Sequence, residues 1–269
     1  MKRILSAVML TAALTAPGLA ADLGARTYTK APAIVPVSNW SGLYVGGNLG
    51  YGWGDGNTDV SFLPSPEQIR FSNASLRARS TGVIGGAQLG YNWQMGSLVT
   101  GLEADIQASS IKGSARAPAI SLDTDGLPAS LSSEAKLSWF GTVRGRLGVT
   151  VTPELLLYGT GGLAYGRVDA SANFFASGED FSGDPFQAQA PASVSKTKIG
   201  WTAGAGAEWM FARNWSAKLE YLYVDLGSES AIRDLTLISA LPPAADFKVG
   251  YTWHTRENIA RVGVNYHFN

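Results

Sequence analysis

The stretch Asn39–Gly54 reads NWSGLYVGGNLGYGWG, with six glycines spread among large apolar residues. Taken in steps of two, Leu43, Val45, Gly47, Leu49, Tyr51 and Trp53 form one set. Gly42, Tyr44, Gly46, Asn48, Gly50 and Gly52 form the other. Side chains on a strand alternate faces, so one face is apolar with aromatic ends and the other small and mildly polar. A phosphate-cradling glycine loop has no reason to keep this alternation, and it opens onto a helix. The next residues of this chain, DGNTDVSFLPSPEQ, read as a loop. The glycines therefore belong to a strand with a crowded inner face.

The pattern recurs in STGVIGGAQLGYNWQMG, LVTGLEADIQAS, LSWFGTVRGRLGV, ELLLYGTGGLAYG, KIGWTAGAGAEWMF, WSAKLEYLYV and IARVGVNYHF. Each run carries about ten alternating residues, the length of a tilted strand crossing a bilayer. In the fourth strand so read, Leu137, Trp139, Val143, Leu147 and Val149 take the apolar face. The connections alternate as well. Long polar segments fill 54–79, 109–134, 168–196 and 226–254, and tight turns fall at Gln94–Ser97, Thr150–Pro153 and Ala212–Asn214. This rhythm predicts an all-β chain: a closed eight-stranded antiparallel up-and-down transmembrane β-barrel with four long extracellular loops and short periplasmic turns. A soluble sandwich would bury its apolar faces, whereas here they end in Trp and Tyr, which suit membrane interfaces. Closure pairs every edge, and inward glycines relieve crowding in so narrow a barrel.

Composition agrees. Of 269 residues, 45% are hydrophobic and only 16% charged, with 32 glycines, a departure from soluble-domain usage. Lys plus Arg equals Asp plus Glu at 21 each, so no global field argues for nucleic acid. With no cysteine, disulfides and thiolate metal sites are excluded. Lys2 and Arg3, the apolar run Ile4–Leu14 and PGLA ending at Ala20 predict a signal peptide over 1–20. The run is too short for a spanning helix, which needs about 20 apolar residues. Residues 21–39, with Pro32 and Pro36, read as an extended periplasmic leader, and 40–269 as the barrel domain.

With GYNWQMGSLVTGLEAD, GTVRGRLGVTVTPELLLYGTGGLAYG, GWTAGAGAEWMFARNWSAKLEYLYVDLG and the ending RVGVNYHF, the opening stretch resembles the small eight-stranded outer-membrane β-barrel proteins of alphaproteobacteria, often labelled porin family or surface antigens. The motifs cover the mature chain apart from the four long loops. The resemblance implies residence in the Gram-negative outer membrane among its lipids and lipopolysaccharide. It also implies insertion by the barrel-assembly machinery, which reads a C-terminal aromatic signal, here Tyr266 and Phe268. Asn269 displaces that signal by one position. Some members are linked to envelope integrity and host contact, and one or two to haem binding. None of these roles maps onto a motif in this chain.

Eight charges fall on the inward set: Glu103, Asp105, Arg144, Arg146, Glu208, Lys218, Glu220 and Arg261, four acids against four bases. Counted from the short turns they lie at similar heights. An unpaired charge in a narrow barrel costs several kcal/mol, so a structural ion-pair network is expected. Strand adjacency puts Glu103 and Asp105 near Arg144 and Arg146, Glu208 near Lys218, and Glu220 near Arg261. Tyr44, Phe140 and Tyr158 add inward bulk.

Sharper chemistry is poorly supported. GTGGLA lacks the helix a dinucleotide site requires. His254 and His267 are the two histidines, too far apart for a metal site, and no nucleophile spacing accompanies them. His267 reads as an interfacial polar tip. Haem capture by His254 or the Tyr-containing rim, which the resemblance implies as an option, would need a pocket that sequence does not show. Glu67, Asp123, Asp125, Glu179, Asp180 and Asp184 read as solvated loop charge rather than a cation bridge. The sequons at Asn39, Asn73 and Asn214 carry no weight in a bacterial barrel. No catalytic, cofactor or metal residue is expected. The leading function is a structural surface barrel with a plugged lumen and loops that meet envelope or host partners; the alternatives are a small-solute porin-like channel and, behind it, haem or host-ligand binding by the loops.

Overall fold

The computed structural model describes residues 39–63, 74–119, 129–179, 183, 185–237 and 248–268. The expected signal peptide and all of the leader except Asn39 lie outside these residues. Among them are eight long strands: β1 (Gly42–Leu63), β2 (Ala74–Met95), β3 (Leu98–Ala119), β4 (Ala129–Thr152), β5 (Leu155–Glu179), β6 (Pro185–Ala212), β7 (Trp215–Asp234) and β9 (Lys248–Phe268), with a two-residue β8 (Thr236–Leu237). Each long strand pairs antiparallel with its neighbours, and β1 pairs with β9, closing an eight-stranded ring. The three tight turns fall between β2 and β3, β4 and β5, and β6 and β7.

The ring's outer face is apolar next to these turns. Leu49, Ile106, Leu163 and Leu219 are between 57% and 65% exposed. Outward aromatic pairs flank the band, Trp215 with Tyr266 at one edge and Trp201 with Tyr223 at the other. A water-soluble protein would not expose a continuous apolar belt of this kind. The belt is the face the sequence assigned to lipid.

The strands are far longer than the expected ten residues. They run from 20 to 28 residues, so much of 54–79, 109–134, 168–196 and 226–254 is strand rather than loop. A 22-residue strand such as β1 spans about 70 Å, more than twice the hydrocarbon thickness of a bilayer. The reason is an inverted alternation beyond the apolar belt. There Val60, Leu76 and Ala78 point inward and are buried, while Arg77 and Arg79 point outward.

Two irregularities matter. The β4–β5 register shifts between Leu137 and Trp139, with Ser138 as the extra residue. The bulge reverses the parity, so Leu137, expected on the outer face, is 2% exposed and packs inside. The ring is also incomplete at the far end. The β6–β7 ladder stops at Trp201↔Asp225, and β6 pairs instead with β8 at Ala188 and Gln189. Full edge pairing is obligatory only within lipid, so the ladder parts just beyond the belt, where water can reach the backbone.

Candidate functional site

The lumen next to the short turns holds all eight expected charges in one layer. Arg144 pairs with Glu103, with Asp105 at 3.0 Å and with Glu220 at 3.2 Å. Arg261 reaches the same three carboxylates, donating from Nε to Glu220 at 2.6 Å and from Nη2 to Asp105 at 2.9 Å. Lys218 Nζ lies 3.2 Å from Glu103 and 3.8 Å from Glu220. Arg146 pairs with Glu208 and stacks over the Tyr158 ring at 3.7 Å. Tyr44 Oη donates to Glu103 at 2.7 Å and Tyr158 Oη to Glu220 at 3.0 Å. Every one of the eight side chains is at most 5% exposed.

Two of the expected pairings do not form. Arg146 leaves Glu103 and Asp105 to Arg144 and turns to Glu208. Lys218, the ladder partner of Glu208, sends its ammonium to Glu103 and Glu220 instead. Adjacency fixes where Cβ atoms lie, but long side chains lean across a narrow lumen. Intervening glycines permit it: a Cβ on Gly162 of β5 would sit 2.7 Å from Cα of Arg144, and one on Gly90 would strike the Tyr44 ring.

Glu208 has a further set of partners. Ser216 Oγ donates to it at 2.5 Å and Asn265 Nδ2 at 2.7 Å, and Asn265 continues to Gln88 and Asn48. His267, expected as an interfacial tip, is instead fully buried here, with Nε2 2.9 Å from Ser216 and 3.4 Å from Glu208. Its nearness to the Glu208 layer follows from its inward parity on β9.

Apolar layers lie on either side of the charges. Toward the short turns, Trp40, Val99, Leu156 and Met210 pack together. Trp40 precedes β1, is fully buried, and donates from Nε1 to the Pro153 carbonyl at 3.1 Å while its backbone N–H donates to Gln94 Oε1 at 2.9 Å. On the other side lie Ile84, Ile111, Leu137, Phe140, Leu222 and Ile259. Next comes Glu257, an inward acid that bonds Ser80 at 2.8 Å. Beyond it, large residues of β1, β2 and β9 face an alanine-rich arc of β4–β6. Tyr251 Oη bridges that arc, accepting from Phe174 N at 3.1 Å and donating to the Ala190 carbonyl at 2.5 Å. Trp253 Nε1 donates to Ser133 Oγ at 3.2 Å. Trp40 and Glu257 escaped sequence reading. Trp40 stands before the first alternating set, and Glu257 stood just past an expected loop, outside the counted charges.

The remaining candidates are dispersed. His254 faces outward and lies 3.2 Å from Asp59. Tyr266 and Phe268 stack edge to face at 5.0 Å on the outer surface of β9. Glu179 is exposed, whereas Glu67, Asp123, Asp125, Asp180, Asp184 and the sequon Asn73 fall outside the described residues. On the outer surface beyond the belt, hydrogen bonds from Ser195 and Ser138 hold the Asp169 carboxyl below the usual carboxylate range.

A model of the outer membrane protein beta-barrel domain matches residues 6–268. The chain belongs to this family. It is 41% identical over 242 residues to the 31 kDa outer-membrane immunogenic protein of Brucella melitensis biotype 1, covering 89% of each chain. It is 31% identical over 236 residues to a 22 kDa outer membrane protein of Rhizobium leguminosarum bv. viciae, covering 87% of this chain and 81% of that one. A 25 kDa outer-membrane immunogenic protein of Brucella melitensis biotype 1 is 28% identical over 255 residues, covering 93% of this chain and 98% of that one. This family member is therefore an outer-membrane β-barrel protein. Its exposed belt is the lipid-facing surface, and these three relatives come from alphaproteobacteria.

Proposed function

We propose that this barrel is closed, neither conducting nor catalytic, and serves the outer membrane as a structural component. Its far end would stand outside the cell and carry any contact with envelope or host partners. The observation that carries this reading is the charge layer enclosed between two apolar layers, since eight strands leave room inside for side chains only. The relatives' names, outer-membrane immunogenic proteins, agree with exposure of the far end. The Ser216–His267–Glu208 cluster argues against catalysis. A proton relay needs its serine and acid on opposite ring nitrogens, whereas both approach Nε2 here, and all three residues are fully buried.

Because the chain has no cysteine, single substitutions report accessibility cleanly. In intact cells, Ser193→Cys on the exposed far surface of β6 is expected to react with an impermeant thiol reagent, and Arg213→Cys in a short turn to remain unlabelled. Thr142→Cys, at a fully buried lumen position, is expected to resist even a small thiosulfonate in purified protein. Reversed labelling of the first two would overturn the orientation. Rapid modification at 142 would favour the small-solute channel.

A further inference from the structure

The wall of the ring has a window beyond the lipid-facing belt. β6 keeps β5 on one side throughout, but on the other it leaves β7 at Trp201↔Asp225 and meets β8 at Gln189↔Thr236. Between these points Ala190–Gly200 of β6 has no ladder partner on that side among the described residues. Neither has Ser228–Asp234 of β7, whose other side is paired to β9. The bared edge of β6 is about 35 Å long. The parting is built into β7. Gly227 takes a φ of +71°, its N–H donates to Asp225 Oδ1 at 2.7 Å, and the β7–β9 register shifts between Asp225 and Ser228. A bulge bends its strand, here just where the two edges separate.

The side chains around the window are short of acids. Lys196 faces Val168 in the β5 ladder and shares its inward parity, and Val168 is buried. Lys196 is nevertheless 61% exposed, because no strand covers it on the window side, and it reaches across to pair with Glu229 of β7. Lys198, next on the same face, has its Nζ enclosed without a hydrogen-bond partner among the described residues. Arg233, on the opposite edge, is exposed and donates from Nη1 to the Ile232 carbonyl, with no acid partner among the described residues. Below the window Leu222, Val224 and Leu226 join the apolar layer of Phe140, so the opening leads no further down the lumen.

Two unmet demands coincide here: a length of strand edge without a ladder, and cations without carboxylates. A bare edge is a template for an added strand. An enclosed ammonium without an acceptor is costly, so a carboxylate is the fitting addition. A second copy of the chain fits poorly, since antiparallel pairing of two β6 edges would bring Lys196 and Lys198 close to their own copies. Lipid chains are excluded by position, because the window begins past Trp201 and Tyr223, the outer aromatic flank.

We propose that the β6 edge of this window is a docking site for an extended acidic polypeptide, which adds as a strand along Ala190–Gly200 and sets carboxylates against Lys198 and Arg233. This names a partner class for the far end and so rests on that end standing outside the cell. The binding test in detergent does not depend on orientation, so the two can fail separately.

The test uses the full mature chain in a nonionic detergent, titrated with a fluorescein-labelled twelve-residue peptide alternating threonine and glutamate and read by fluorescence anisotropy. The parent is expected to bind it, and Lys198→Ala/Arg233→Ala to bind about tenfold more weakly, because charge-assisted hydrogen bonds are lost. Lys112→Ala/Lys136→Ala, which removes the same charge from β3 and β4, is expected to match the parent. The same peptide with its backbone nitrogens methylated keeps the charge but loses the ladder donors, and is expected not to bind. Undiminished binding of the methylated peptide would mean charge attraction alone and overturn the strand assignment. Equal binding of a threonine–lysine peptide, or equal loss in both variants, overturns the charge assignment. If the parent binds no peptide but sediments as a dimer, the edge belongs to a second copy and the proposal falls. If it binds none as a monomer, the window is not a docking site.

Discussion

Replacing Arg146 by methionine is expected to destabilise the folded barrel by about 3–5 kcal/mol, the loss typical of stranding one partner of a buried ion pair. Arg146 is the guanidinium paired with Glu208, and both are buried. Lys218 sits opposite Glu208 in the ladder, yet its ammonium is committed to Glu103 and Glu220, and His267 at 3.4 Å is the other group in range. Arg144→Ala should be milder, because Arg261 contacts the same three carboxylates and can still neutralise them. Lys196→Ala, which removes an exposed pair, should change stability by about 1 kcal/mol or less. Glu208→Gln combined with Arg146→Met should recover much of the loss, since the stranded charge is then gone. Guanidinium unfolding of the full chain in detergent, followed by tryptophan fluorescence, measures the series. If Arg146→Met and Lys196→Ala have equal effects, the charge layer does not hold the lumen together.

The second large effect is at the turn end. Trp40→Ala is expected to destabilise by about 3–5 kcal/mol, the usual range for deleting a fully buried indole. Trp40 is 0% exposed, packs edge-on to His267 at 5.8 Å between ring centroids, and closes the layer formed by Val99, Leu156 and Met210. Trp40→Phe should keep most of that packing and lose the bond to Pro153, a difference of about 1 kcal/mol. Both variants are read by the same unfolding assay. An alanine variant as stable as the parent would mean that the residue does not seal this end.

Much of this architecture is visible in the amino-acid order, for physical reasons. A period of two along NWSGLYVGGNLGYGWG assigns faces without further information, and the same period places the charges of β3, β4, β6, β7 and β9 inside. What escaped depends on geometry that a face count lacks. Beyond the belt the alternation inverts, so Val60 and Leu76 lie in runs that look polar when only outward apolar residues are sought. A single extra residue, Ser138, turns Leu137 from lipid to lumen. Ladder adjacency put Glu208 with Lys218, but the reach of an arginine side chain past glycine-bearing β5 gave it Arg146. Trp40 shares the inward parity of Gly42 and Tyr44 but precedes β1, and a period of two assigns faces only within a strand.

The central claim is a lumen without a water path, and single-molecule conductance of the purified full chain in planar bilayers tests it most directly. With the charge layer held between the Trp40 layer and the Phe140 layer, the membrane current should stay at baseline, without stable opening steps, across salts and voltages that leave the bilayer intact. Reproducible, long-lived conductance steps that scale with salt concentration would contradict the account and make the protein a channel.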